Sequence, residues 1–307
     1  MEHLSFYWRP DNKQWILESL KQEFAEMIDL AIAAGHVSLP PLPDVVLQIQ
    51  QLCLEPEVDV DQIRILLMSE PSLAASLIRI ANSVMFNRRG IECHDLRVAI
   101  NRLGILRVRD IITAQAIEQL KTSSRFEPCC QQTLEQSAKA SKQLGATMAL
   151  VVEQYQASDK ARFHYFNKEK AFLTGLLADI GLYSLVREYH VYLARGNYLA
   201  VELAMALFEH RCGNFSQNVL SCWGFDQDYL DVASNEGQQL DTNHVSYLDI
   251  ARIAYYLLLF RRQDDSGLED YQVEFDTTGA QILYQLSNLN EREFEQRLDA
   301  VLKSSGL

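Results

Sequence analysis

The chain has 307 residues, 48% of them apolar and 22% charged, and a formal net charge of −13 at pH 7. That length suits one large domain or two smaller ones, and at this size roughly 75% of the unfolded surface can be buried, so a self-sufficient core is expected. The composition is that of an ordinary globular protein, and the acidic balance argues against broad nucleic-acid binding and against acidic membranes, which need a basic surface.

Nearly every segment reads as helix. Asn12 is placed to cap a helix running to about Ala34, with Ile16, Leu20, Phe24, Met27 and Ala31 on one face and Gly35-His36 ending it. Leu39-Pro40-Pro41-Leu42-Pro43 follows, with Pro43 suited to the first turn of a helix that carries Val46, Ile49, Gln50 and Cys53. Asp59 or Asp61 starts the next, with Ile63, Leu66 and Leu67 buried. Glu70-Pro71-Ser72 opens a helix with Leu73, Leu77, Ile80 and Ala81 at helical spacing. Asp95 caps a short helix stopped by Gly104.

Beyond it, Ile105 to Leu120 is amphipathic, and Cys130 to Tyr155 forms a long helix interrupted only by Gly145. Ser158 to Asn167 reads as a connector, and Asn197 can start a helix through Leu207. Trp223-Gly224-Phe225 is a turn, after which Asp226 caps a helix. Helices around Val245–Arg262, Thr277–Leu286 and Glu291–Lys303 follow, the last with Asn290 and Glu293 as a capping box, and Asp264 to Asp276 is the most loop-like stretch. Period-two alternation is missing, so a sheet is not expected.

Six scattered cysteines without a Cys-x-x-Cys pair suggest reduced thiols in a cytosol. The first residues lack the basic and apolar regions of a signal peptide, and the apolar run Ile250 to Phe260 is too short to span a bilayer and carries Arg252. A cytoplasmic protein is expected, without membrane binding.

Between the long helix and residue 197, Leu173, Leu176, Leu177 and Ile180 fall on one face of an apolar segment that ends at Asp179, with Gly175 and Gly181 close about it. A carboxylate there is costly unless satisfied, so Asp179 is expected to accept backbone hydrogen bonds or to pair with an arginine. No Gly-x-Gly-x-x-Gly, phosphate loop, Gly-x-Ser-x-Gly or His-x-x-x-His is present, so no catalytic residue is assigned.

Three blocks resemble the HDOD domain, the output module related to the His-Asp phosphohydrolases. They are Leu39-Pro40-Pro41-Leu42-Pro43-Asp44-Val45-Val46, then Glu70 to Ala75 with Leu77 to Ser83 and the companion Ala99 to Gly104, and finally Phe172 to Gly181 with Trp223-Gly224-Phe225. The resemblance implies an all-α, compact multi-helix HDOD/HD-like globule in two lobes. It divides the chain into an N-terminal helical extension (1–36), the HDOD domain (37–240) and a C-terminal helical segment packed on it (241–307).

Active members of the related superfamily hold a metal with an early His, the His-Asp pair and a late Asp. By that comparison the early position here lies near Gln136 or its neighbours, the paired His is Ala178, the later segments carry Cys212 and Glu236, and Asp179 alone is retained. Ala178 and Asp179 are then the remnant of a metal site. No metal and no cofactor are expected, although His164 or His190 could approach Asp179 in space.

Seven arginines lie from Arg79 to Arg109, facing only Glu92 and Asp95 in that interval. They read either as a solvated rim or as an anion- or partner-binding surface, with Arg88, Arg89, Arg102, Arg107 and Arg109 as candidates. The resemblance implies a non-catalytic output or adaptor module of bacterial signal transduction that binds a protein. A nucleotide-like ligand is a further expectation, and the terminal helices are read as packed on the domain or as a homodimer interface. The alternative is a diverged metal-dependent phosphohydrolase acting on a nucleotide or cyclic dinucleotide.

Overall fold

Apolar residues at helical spacing account for the observed helices, several of which also have a capping side chain ahead of them. The computed structural model describes residues 23–34, 39–123, 126–236, 244–263 and 275–306; among them every regular element is a helix and there is no strand. Asn12, Ile16, Leu20 and most of the loop-like stretch from Asp264 lie outside the described residues. In chain order the helices are α1 (Glu23–Ala33), α2 (Asp44–Leu52), α3 (Val60–Met68), α4 (Pro71–Ala81), α5 (Leu96–Leu103), α6 (Ile105–Ser123) and α7 (Pro128–Ser158). They continue with α8 (Lys168–Leu177), α9 (Gly181–Ala194), α10 (Val201–Cys222), α11 (Gln227–Ser234), α12 (Tyr247–Arg261), α13 (Thr277–Ser287) and α14 (Glu291–Ser305).

The caps are local chemistry. Asp59, not Asp61, starts α3: it accepts from the Asp61 amide at 3.2 Å while its own amide donates to Gln62 at 3.0 Å. Asp95 accepts from the Val98 amide, Asp226 from the Asp228 amide, and Asn290 and Glu293 bond reciprocally. Asn167, which reads as part of a connector, caps α8 through the amides of Glu169 and Lys170. Pro43 sits at the cap position of α2, one residue before its first turn.

The chain divides into two compact units. The larger contains the described residues of Met1–Pro40 and Lys121–Phe294; the smaller contains Pro41–Leu120 with Glu295–Leu307. In the larger unit α7 is the central element. The expected interruption at Gly145 does not occur, because the helix runs through it unbroken. Its glycine serves a close crossing instead: a Cβ there would run into the Phe172 carbonyl oxygen, and one on Gly175 would lie 2.6 Å from the Gly145 Cα. Two facing glycines let the α7 and α8 backbones touch, at a cost in helix propensity of about 1 kcal/mol each.

That approach buries α8 on every side, so the segment from Ala171 to Ile180 is enclosed all round where the spacing suggests a single stripe. Helix α10 runs to Cys222, well past Leu207, because Phe208, Cys212, Phe215 and Val219 continue its buried face. In α1 the buried side chains are Phe24, Ala25 and Ile28, and Phe24 packs against the rings of Tyr189 and Tyr192.

Helices α12 and α13 pack on α7, where Tyr155 donates to Asp276 at 2.6 Å. The end of α14 belongs to the smaller unit, where the Met85 amide donates to the Ser304 carbonyl at 2.8 Å. Arg252, the charge within the apolar run, is buried and donates to the side chain and carbonyl of Asn235, which adopts φ 53°. Among the described residues no helix is long and apolar enough to cross a membrane.

Candidate functional site

Asp179 lies in the short break between α8 and α9, and its side chain is fully buried. Ser137, on the buried face of α7, donates to its Oδ2 at 3.2 Å. Cys212 of α10 offers its thiol to Oδ1 at 3.9 Å, and one turn on, Ser216 accepts from the Gly181 amide at 2.9 Å. A Cβ on Gly181 would meet the Ser216 and Phe215 backbone, so only glycine lets α9 begin against α10 here. The carboxylate is thus held from two helices, α7 and α10, by short polar side chains.

Lys121 completes the cluster. It stands in the last turn of α6, is 2% exposed, and donates from Nζ to Ser137 Oγ at 2.9 Å. Ser137 therefore accepts from a lysine and donates to a carboxylate, linking two ionisable side chains that water does not reach. A lysine in that position is rare unless it is compensated.

The same residues decide whether a divalent ion fits. Such a site needs several lone-pair donors converging on one point. Ala178 presents a methyl, the Ser137 oxygen is taken up by Lys121 and Asp179, and the lysine nitrogen has only hydrogens to offer. The positive charge that a metal would bring is already supplied by the protein. No group of three or more His, Cys, Asp or Glu among the described residues is arranged to hold an ion. The residues around Asp179 do not fit a metal.

The other positions expected near this carboxylate divide in two. Cys212 is brought to it, and so is Ser137, the neighbour of Gln136. Glu236 is exposed at the end of α11, and His164 and His190 are exposed as well, the first against the Ala161 carbonyl and the second against the Phe126 ring. Lys121 escapes the sequence reading, although one signal was present: it follows buried Ile117 by four residues, a charge on the apolar face of its helix.

The arginines do not form one surface. Arg109 is buried and pairs with Asp110 at 2.7 Å, which removes it from any external anion site. Arg102 is half-buried and donates to the carbonyls of Ala81 at 2.8 Å and Ile91 at 2.6 Å. Arg97 pairs with Asp61 and Arg79 donates to the Gly306 carbonyl. Arg88 and Arg89 are exposed, and the half-buried Arg107 lies over the Phe86 ring at 6.0 Å.

Comparison with known proteins agrees with this helical architecture. A protein from Shewanella amazonensis SB2B, described as a candidate metal-dependent phosphohydrolase, matches with a TM-score of 0.68 at 19% identity, over 94% of this chain and 100% of its own. An HDOD domain protein of unknown function from Geobacter sulfurreducens matches with a TM-score of 0.52 at 17% identity, over 91% and 97% of the two chains. A candidate signal transduction protein from Marinobacter aquaeolei VT8 gives a TM-score of 0.44 at 18% identity, covering 100% of this chain and 67% of that one. For the first two, at these identities, the likeness is one of fold. Among curated proteins nothing matches the chain. Residues 39–238, about two thirds of the sequence, match the HDOD domain, and the chain belongs to that family.

Proposed function

We propose that this chain acts by binding rather than by turnover, as a non-catalytic module of signal transduction whose partner is a protein. One observation carries the reading: beside Asp179 stand a methyl and a serine oxygen already engaged by a buried lysine, where an ion would need several free ligand atoms. Ser137 and Lys121 at 2.9 Å also have the composition of a nucleophile and its base, but at 3% and 2% exposure neither can meet a substrate. No disulfide joins the six cysteines, which suits the reducing cytoplasm in which we place the protein.

The test is metal content and turnover of the purified chain. We expect no stoichiometric divalent ion and no hydrolysis of a nucleotide or cyclic dinucleotide with Mg²⁺ or Mn²⁺ added. Stoichiometric metal together with phosphodiester hydrolysis would establish a diverged phosphohydrolase instead. Thermal stabilisation by a nucleotide without product would make the ligand a small molecule rather than a protein.

A further inference from the structure

Helix α1 precedes residues 39–238, which match the family, yet it packs against one of their helices, α10. Its seat is built by two pairs of side chains, each pair one turn apart on its own helix: Tyr189 and Tyr192 of α9, Phe208 and Arg211 of α10. The rings touch in series. Phe24 of α1 meets Tyr192 at 5.2 Å and Tyr189 at 5.9 Å, and Tyr189 meets Phe208 at 5.9 Å, all edge-on or tilted. Five residues on from Phe24, Asp29 is held by Arg211, with Nε 2.7 Å from one carboxylate oxygen and Nη2 donating to the other at 2.8 Å. Tyr189 is fixed without α1, because its hydroxyl donates to the Leu199 carbonyl at 2.9 Å. The seat is an aromatic groove with a guanidinium at one end, made by residues inside the family match.

The helix in that groove is lightly held. Its buried side chains are Phe24, Ala25 and Ile28, while Leu30 is 70% exposed. Eleven residues are too few for a helix to persist by itself, so α1 owes its order to this contact. Asp29 is half open to water, and ion pairs of that kind add little stability.

We propose that α1 is the built-in occupant of a helix-docking groove, and that the module's partner is an amphipathic helix that displaces it. The pattern such a helix must carry is that of α1: an aromatic ring, an aliphatic side chain four residues on and a carboxylate five residues on, the places of Phe24, Ile28 and Asp29. The inference rests on the reading of the chain as a protein-binding module. Helices recognise apolar grooves through anchors at i and i+4 on one face, and the guanidinium of Arg211 fixes which way the helix lies. Covalent attachment gives α1 a high effective concentration, so it shields the rings from water until a helix with the same anchors and a larger contact takes its place.

The test uses the full chain and a fluorescent peptide of residues 23–34 in which Leu30→Lys is closed to Glu26 as a lactam, both positions being exposed on α1. Anisotropy should show binding to D29R about tenfold tighter or more than to wild type, because the substitution loosens α1 and leaves the groove intact. The same peptide with Phe24→Ala should not bind. Nor should the first peptide bind D29R/R211D, in which α1 is paired again and the groove repels a carboxylate. Asp29 is half-exposed, so unchanged circular dichroism is expected for D29R. In the wild-type chain the amides of α1 should exchange with deuterium about tenfold faster or more than those of α9 and α10. Equal peptide affinity for wild type and D29R, no binding to D29R, exchange in α1 as slow as in α9, or a wild-type dimer in sedimentation that D29R abolishes would each overturn the proposal. Metal-dependent turnover would remove the non-catalytic reading alone and leave the peptide result to stand or fall by itself.

Discussion

Lys121 and Asp179 are brought to opposite sides of one hydroxyl: Ser137 accepts from the lysine at 2.9 Å and donates to the carboxylate at 3.2 Å. Three buried side chains from three places in the chain thereby satisfy one another, and removing any one leaves a polar group in a low-dielectric interior. The arrangement locks the break between α8 and α9 to α7 by charge, where an ion could have done so.

Lys121→Met should therefore be strongly destabilising, by about 3–5 kcal/mol, because it breaks the buried chain of hydrogen bonds that runs from the lysine through Ser137 to Asp179. The double variant K121M/D179N should recover part of that loss, since it removes both charges together. Urea denaturation of the two single variants and the double one measures the coupling. Simple additivity would show that the two charges are compensated independently.

The crossing of α7 and α8 predicts a loss from a substitution that helix propensity favours. Gly175→Ala adds a methyl 2.6 Å from the Gly145 Cα and 2.9 Å from the Met148 sulfur. The propensity gain of about 1 kcal/mol is outweighed by overpacking between two backbones that cannot yield, for a net loss of about 1–3 kcal/mol. A melting temperature equal to or above that of the wild type would contradict the close approach.

Stability should fall on the alkaline side. Burial pushes the Cys130 thiol up to about 12, with its neighbour Cys129 adding to the shift, and burial likewise raises the Tyr247 hydroxyl to about 12. Burial alone would lower the Lys170 amine, but hydrogen bonds to Asp228 and Asp226 outweigh it and hold the amine above its ordinary value. Each group keeps its proton longer folded than unfolded. The folded state therefore binds more protons, and stability declines as pH rises from about 8.5, the unfolded cysteine value, towards 12. Lys170→Met should flatten the upper part of that decline while lowering stability at neutral pH. Guanidinium melts from pH 7 to 11 report both effects.

Much of the helical framework was legible because it is local. Asp95, Asp226 and the Asn290–Glu293 box stand where their hydrogen bonds place them, and Pro71 and Gly104 mark real boundaries. The errors fall where a long-range contact overrules a local preference. Gly145 reads as a helix breaker along the chain, yet it is the notch that admits α8. Arg109 looks like a member of a basic row, yet it is turned inward to Asp110, because helical periodicity rather than sequence proximity decides which side chains share a face.

By itself the sequence determined the helices, the family, and the replacement of the paired histidine by Ala178, since each of these is written in residue identity and short spacing. Only tertiary structure decided what surrounds Asp179 and which arginines face outward. Lys121, Ser137 and Cys212 are far apart along the chain and meet through packing alone, and a buried charge selects its partners by distance in space.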